Sequence, residues 1–420
     1  MHKLLKILPF LLLIKTSVFA LTLTEALEHF VATYPGIQAQ YQNVRAAENR
    51  IDVARSGYRP TVYSYGEIGV ARYTRSSDRS VFRTPKAIGI SASQPLYRGG
   101  RTIAAIKGSK YAYLAQELSY EEEMEQQLLE TATLYIDVLR EQEILKANLN
   151  NEEYLKKELQ VVTDRFKLGD VTRTDLAQAK SRFAGAQAQV IQSRGNLTSI
   201  KAELERLISQ KVSTLEFPEF TPNLPKNVEA FCEKALAQNK ELAAQLARYH
   251  AAIQVYREIK GEQYPELDLD SWIQHNRDQA IPHEYTNEIV AELSFTIPLY
   301  QAGRVKARMR EAAALAQKEW LIYLEIEKFI RQYCVQAWEN LETSKFQITA
   351  YKTQLETAEV ALKGVQEEES AGMRTILDIL NAEFEVLYAK VNLIDARRDQ
   401  FVAELEILHL LSNLFTQFLA

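Results

Sequence analysis

Residues that interrupt helices are scarce in this chain: 15 glycines and 11 prolines serve 420 residues, and they are clustered. Between the clusters run long tracts of Ala, Leu, Glu, Gln and Lys, the composition of long helices and coiled coils. Cysteine is scarcer still. Cys232 and Cys334 are the only two, and their spacing fits no metal motif. Positive charge is not in excess, since 50 basic residues face 55 acidic ones for a net charge of −5. Nucleic acid as a partner needs a basic face, so that class is excluded. Beyond the first twenty residues no run offers eighteen consecutive apolar positions. Such a chain enters a membrane as a β-barrel, not as a helix.

Catalytic constellations are missing too. The six histidines form no His-Glu-x-x-His pair, and neither a Gly-x-x-x-x-Gly-Lys-Ser/Thr loop nor a Gly-x-Ser-x-Gly elbow occurs. The sequence therefore predicts no enzyme, no cofactor and no metal centre. Energy for any transport has to come from a partner. The runs Glu121-Glu122-Glu123 and Glu367-Glu368-Glu369 read more simply as solvated helix faces than as metal sites.

What is present begins with an export address at residues 1–20. Lys3 and Lys6 give a positive start, Leu4 to Ile14 an apolar core, and Val18-Phe19-Ala20 ends in the small residue a signal peptidase needs. The apolar stretch is too short for an anchor helix, and no Cys follows to carry a lipid. Without Lys3, Lys6 and Lys15 the net charge becomes −8, and about 400 residues are left, enough for two repeated units.

The remainder is written twice. Gln94-Pro95-Leu96-Tyr97-Arg98-Gly99-Gly100-Arg101 reappears 203 residues later as Ile297-Pro298-Leu299-Tyr300-Gln301-Ala302-Gly303-Arg304. The same offset carries Gly169 onto Gly372, Thr172 onto Thr375 and Asp175 onto Asp378, while Pro60 and Pro265 are 205 apart. Residues 21–208 form the first repeat, 209–227 a linker with Pro218, Pro222 and Pro225, and 228–420 the second repeat. Each repeat opens with a helical stretch, residues 23–56 or 228–261, that proline ends. A β-hairpin follows at 60–98 or 265–300, then long helices at 100–208 or 303–415.

The long runs set the scale. Residues 101–167, at about 1.5 Å each, make a rod of roughly 100 Å that needs neighbouring rods. Leu377, Leu380, Phe384, Leu387, Val391 and Ile394 are spaced 3, 4, 3, 4, 3, and Phe401, Leu405 and Leu408 continue the register. A 3.5-residue period marks a coiled-coil seam. Ala177, Ser181, Ala184 and Ala188 form the corresponding seam of small residues in the first repeat.

The hairpins alternate with a period of two. Ile289, Ala291, Leu293, Phe295 and Ile297 are apolar between Glu288, Glu292, Ser294 and Thr296; Ile88, Ile90 and Ala92 alternate with Gly89, Ser91 and Ser93. Segments of about ten residues with this period suit a transmembrane barrel strand. Tyr63, Tyr65, Tyr73, Tyr97 and Tyr300 suit an interfacial girdle, and the polar stretches 74–83 and 275–287 look like outer loops. Four strands cannot close, and open edges cannot exist in lipid. Three copies would supply twelve.

With its duplicated order, its Pro-Leu-Tyr-x-Gly-Gly joint and the stretch from Gly372 to Ala382, the chain resembles the TolC-type outer membrane factors over its whole mature length. The resemblance implies an α+β membrane protein: a tandem-duplicated, long α-helical coiled-coil tunnel, with four β-strands per chain completing a twelve-stranded trimeric transmembrane barrel. It implies a homotrimer in outer-membrane lipid, extending into the periplasm, that works with a periplasmic adaptor and an inner-membrane pump, ABC or proton-driven. The function implied is the exit duct of a tripartite efflux pump or a type I secretion system.

By motif position the resemblance gives Asp378 to an aspartate ring at the periplasmic constriction, with Asn381 where a second aspartate can occur. Arg374 matches a residue that holds the closed state. Leu168, Gly169, Ala371 and Gly372 fall at hairpin tips where the adaptor engages, and Pro60, Pro95, Gly99, Gly100, Pro265, Pro298 and Gly303 mark the joints between barrel and helices. Two readings stay open for Asp378, gate charge or helix cap, and two for Arg374, closed-state link or solvated tip residue. Both cysteines fall roughly 47–50 Å from the joints at about 1.5 Å per residue, either as a disulfide or as two buried small apolar groups. A periplasmic coiled-coil scaffold or adaptor is the competing function; it leaves the strand alternation without a purpose.

Overall fold

The structure is a computed structural model that describes residues 20–74, 80–218, 222, 224–279, 281 and 283–419. The expected leader, apart from Ala20, lies outside the described residues, as do parts of the linker and of both outer loops. In chain order the helices and strands are α1 (Leu23–Thr33), α2 (Pro35–Arg55), β1 (Thr61–Ile68), β2 (Ala71–Tyr73), β3 (Val81–Arg83), β4 (Lys86–Arg98), α3 (Arg101–Leu168) and α4 (Arg173–Ile208). The second half continues with α5 (Val228–Gln238), α6 (Lys240–Gly261), β5 (Glu266–Arg277), β6 (Tyr285–Thr296), α7 (Arg304–Ser370), α8 (Ile376–Leu410) and α9 (Leu414–Leu419).

Several boundaries differ from the sequence expectation, each for a local reason. The opening helical stretch of both repeats is two helices. Pro35 starts α2 after Tyr34 caps α1 in extended conformation, and Asn239 caps α6 by accepting a hydrogen bond from the Leu242 N–H at 2.9 Å. The last helix also breaks, at Ser412, which adopts a left-handed φ of 51°. Polar loop 74–83 ends in a short strand, because Val81–Arg83 pairs with Ala71–Tyr73. Loop 275–287 is shorter than its polarity suggested, since β5 and β6 pair out to Arg277 and Tyr285.

The chain forms two compact units, each assembled from both repeats. The first comprises the described parts of Met1–Tyr34, Glu125–Val228 and Val335–Ala420. Its core joins α1, α3, α4, α8 and α9 through Leu27, Phe30, Tyr135, Leu204, Leu207, Ile208, Leu405, Ile407 and Leu414, all at 1% exposure or less. Burying one such apolar side chain stabilises by about 1.5–3 kcal/mol. The Tyr135 hydroxyl lies 2.6 Å from the carbonyl oxygens of both Leu21 and Glu216 and accepts from the Glu216 N–H at 3.1 Å. It fastens the parallel bridge between Leu21 and Leu215, so the first described residues and the linker are held on α3. Near the end of α8, burial pushes the half-buried His409 imidazole down to about 4.

The predicted seam of α8 is only partly used within this unit. Leu380, Phe401, Leu405 and Leu408 are buried, but Leu377 and Phe384 are 38% and 51% exposed. The positions packed inside the chain are instead Ile376, Ile379, Ala389, Leu393 and Ala396, one residue around the helix. On α4 the small-residue seam is a correction. Ala177, Ser181, Ala184 and Ala188 are exposed, and Ala179, Ala186 and Val190 make the internal contact. Both helices thus carry a second, uncovered seam.

The second unit comprises the described parts of Pro35–Met124 and Glu229–Cys334. Its four-stranded antiparallel sheet has the order β1-β4-β5-β6. Among the described residues β1 and β6 have one sheet neighbour each, so both edges carry unpaired backbone groups. Among the described residues no helix is long and apolar enough to cross a membrane.

Candidate functional site

Register decides which side chains share a face of the sheet, because successive residues point to opposite sides. Ser64, Ile90, Ile273 and Ile289 stand opposite one another across the four strands. Leu269 pairs with Leu293, and Leu267 with Phe295, on the same side. That face is apolar and uncovered: Ile289 is 81% exposed, Leu293 61% and Phe295 63%. A row of branched and aromatic side chains facing outward is costly in water and favourable in hydrocarbon.

The opposite face is polar. Ser93, Asp270 and Glu292 stand opposite one another, as do Gly89, Gln274 and Glu288. Tyr65 lies over Gly89, where a Cβ would collide with its ring, and donates to Gln274 Oε1 at 2.7 Å. This corrects the expected girdle. Tyr63 and Tyr65 pair with Ser91 and Gly89, so both belong to the polar face rather than the apolar one.

The joint residues cluster at the ends of these strands. Pro60 immediately precedes β1, Pro265 precedes β5, and Pro298 follows β6. Pro95 lies at a register shift between β4 and β5, as expected for a residue without an N–H to donate. Gly99 and Gly100 take φ of 60° and 79°, and Ala302 and Gly303 take 50° and 75°. A side chain on Gly99 would meet the Gly261 carbonyl and Tyr264. Arg98 bonds Glu266 at 2.7 Å and Asp268 at 2.8 Å, and Arg101 reaches Glu266 at 2.5 Å, tying the start of α3 to the start of β5.

The hairpin-tip residues belong to the first unit. Gly169 and Gly372 adopt left-handed φ of 84° and 76°, which lets the Asp170 N–H bond the Arg165 carbonyl at 3.0 Å and the Met373 N–H the Glu368 carbonyl at 2.8 Å. Leu168 is 78% exposed. Thr172 and Thr375 then start α4 and α8 with matching capping boxes to Asp175 and Asp378. The Asp378 carboxylate accepts from the Thr375 N–H at 2.9 Å and its hydroxyl at 2.8 Å, both on Oδ2. Those bonds, first from the backbone, hold its pKa below the usual carboxylate range, and Arg374 adds to the effect. Asp378 is therefore the capping-box partner of Thr375 in the single chain, held in its ionised form.

Arg374 pairs with Glu368 at 2.8 Å. Asn381 accepts from Arg182 of α4 at 3.0 Å, and the Arg182 guanidinium also lies 5.8 Å from the Phe384 ring centre. Arg165 and Glu369 meet at 2.6 Å. Burial, then Glu369, raises the pKa of Glu158, and burial, then Glu158, raises that of Glu383. Sequence reasoning missed Arg182, although a lone arginine in a seam of alanines and serines was a visible signal. It missed the Glu158–Glu383 pair because α3 and α8 are joined only in the fold. The tip turns and the Arg182 link bring Leu168, Gly169, Ala371, Gly372, Arg374, Asp378 and Asn381 into one unit, apart from the joint residues of the sheet unit.

The model of a family described as outer membrane efflux protein matches residues 27–210 and 231–413. The outer membrane efflux protein BepC of Brucella suis biovar 1 is 24% identical over 92% of this chain and 84% of its own length. The outer membrane protein TolC of Escherichia coli K12 is 24% identical over 98% and 87%. The alkaline protease secretion protein AprF of Pseudomonas aeruginosa is 24% identical over 91% and 82%. Among solved structures, the outer-membrane channel OprN superposes with a TM-score of 0.84 at 18% identity, over 93% of this chain and 89% of that one. At that identity the likeness is one of fold.

Proposed function

The chain belongs to the outer membrane efflux protein family, and from that premise we propose that three copies close into one duct by pairing β6 of each with β1 of the next. Members of the family are outer-membrane channels rather than enzymes, and this protein is a passive exit channel of the outer membrane and periplasm. The observation that carries the trimer is the sheet of four strands with two unpaired edges and one uncovered apolar face. Unpaired backbone groups cannot face lipid, so the edges must meet other edges. The second, uncovered seams of α4 and α8 are surfaces that further copies would cover.

In that ring the polar face turns inward with Glu67, Asp268, Asp270, Glu288 and Glu292 against Arg98. An excess of carboxylates in the lumen favours passage of cations. The gate reading assigns Asp378 to a ring of three charges, with Arg374 and Asn381 holding the coils around it. Asp378 can serve as cap and ring together, because capping keeps it ionised. The tips at Leu168-Gly169 and Ala371-Gly372 engage a periplasmic adaptor, and an inner-membrane pump supplies the energy. The names of the relatives point to both efflux and protease secretion, which use the same exit.

The test is electrophoretic mobility and planar-bilayer conductance of protein purified from outer membranes. A trimer giving discrete cation-preferring channels is expected. A monomer that washes out with the periplasm and never conducts would leave the scaffold reading in its place.

A further inference from the structure

Cys232 and Cys334 are the chain's only cysteines, 102 positions apart, and the fold brings them together within the sheet unit. Cys232 lies on α5 and Cys334 on α7. Cys334 is buried and Cys232 partly so, both as free thiols, and they lie close enough that Cys232 bears on the ionisation of Cys334. Two thiols that meet across two helices are a pair, and the sequence holds no third cysteine to compete for either. Among the described residues no group of three or more His, Cys, Asp and Glu is placed to hold a metal, which removes the usual alternative for paired sulfurs. The compartment is the other half of the argument. An outer-membrane channel matures in an oxidising space, where adjacent thiols are converted to disulfides and kept so.

We propose that Cys232 and Cys334 form a disulfide in the mature protein, stapling α5 to α7. The oxidant is a disulfide-carrying exchange protein of the export compartment. The partly exposed Cys232 attacks one sulfur of that donor as a thiolate, and the other donor sulfur leaves as a thiol. Cys334 then attacks the Cys232 sulfur and expels the second donor thiol. Two protons and two electrons leave the cysteine pair, and the donor disulfide becomes a dithiol.

Burial fixes the order of attack. The Cys334 thiol is pushed up to about 12 by burial and then by Cys232, so it acts second, within the mixed disulfide. Arg331, one turn before Cys334, interacts electrostatically with both sulfurs and favours the thiolate that each attack requires. The closed loop contains α6, β5, β6 and the opening turns of α7. Cross-linking a loop of this length removes more freedom from the unfolded chain than a short one does.

The proposal rests on outer-membrane location, so the same sample is fractionated to show where the protein resides. Full-length protein is acid-quenched in cells, denatured and treated with N-ethylmaleimide before any reductant. The expected result is no maleimide on the chain, a mass about 2 Da below the dithiol form, and one linked peptide pair. Prior reduction should admit two maleimides. Two maleimides without reductant, in protein found in the outer membrane, would overturn the proposal. A second measurement compares denaturation midpoints. Reductant should lower the wild-type midpoint to that of the Cys232→Ser/Cys334→Ser variant and leave the variant unmoved; a wild-type midpoint indifferent to reductant overturns the staple.

Discussion

Replacing His409 by Gln should flatten the acid sensitivity of the first unit. His409 is half-buried near the end of α8, and burial lowers its pKa from about 6.5 to about 4. The unfolded chain therefore takes up a proton below about pH 6.5 that the folded chain refuses until about pH 4. Its contribution is complete above the unfolded value and is lost as pH falls through this window. With about 1.4 kcal/mol per pKa unit, the loss between about pH 7.5 and about pH 5 is about 2 kcal/mol per chain, and about 3.5 kcal/mol at its limit. Glu404 and Glu406 on the same helix have raised pKa values, chiefly through burial. They work in the opposite sense, gaining stability as pH falls, and both proteins retain them. The difference between wild type and His409→Gln isolates the imidazole. The assay is denaturant unfolding of both proteins in detergent at about pH 7.5 and about pH 5. Parallel pH profiles would refute the reasoning, because a histidine that titrates normally in the fold contributes no slope.

Three further outcomes are expected. Ala302 holds a φ of 50°, a region that costs a residue with a Cβ about 1–2 kcal/mol, so Ala302→Gly should stabilise by about 1 kcal/mol in thermal unfolding. Its counterpart Gly99→Ala should destabilise by more, because the new methyl would meet the Gly261 carbonyl. Asp378→Ala should raise single-channel conductance and weaken block by multivalent cations, whereas Asp175→Ala, which removes the same capping geometry from the other repeat, should alter neither. Equal effects of the two substitutions would reduce Asp378 to a cap.

The elements most legible in the sequence were those tied to repeated punctuation. Gly169 and Gly372 turn where their duplication implied, and each is followed by a Thr-x-x-Asp capping box, a local motif that needs no tertiary contact. The long helices were equally plain, since α3 and α7 contain no proline to stop them. Seams were harder. Periodicity shows that a helix has an apolar stripe but not which partner covers it. Leu377 and Phe384 therefore looked like core yet stand exposed in one chain. Tyr63 and Tyr65 were expected in an interfacial girdle, yet they lie on the polar face, because composition does not reveal register, which the β1–β4 pairing fixes. The two thiols could be placed at a common height by counting residues, but that Cys232 bears on Cys334 shows only in the fold.

The two unpaired edges of the sheet also have a genetic meaning. β1 and β6 are different edges, so the proposed ring is joined head to tail, and every chain must offer both a sound donor and a sound acceptor. A variant with a proline in the middle of β1 would fold its helices, enter rings through β6 and leave each one open. Expressed equally with the wild type, it would spare about one ring in eight if subunits mix at random in threes. Damage to a single edge would thus behave as a dominant trait, while loss of the whole chain would be recessive.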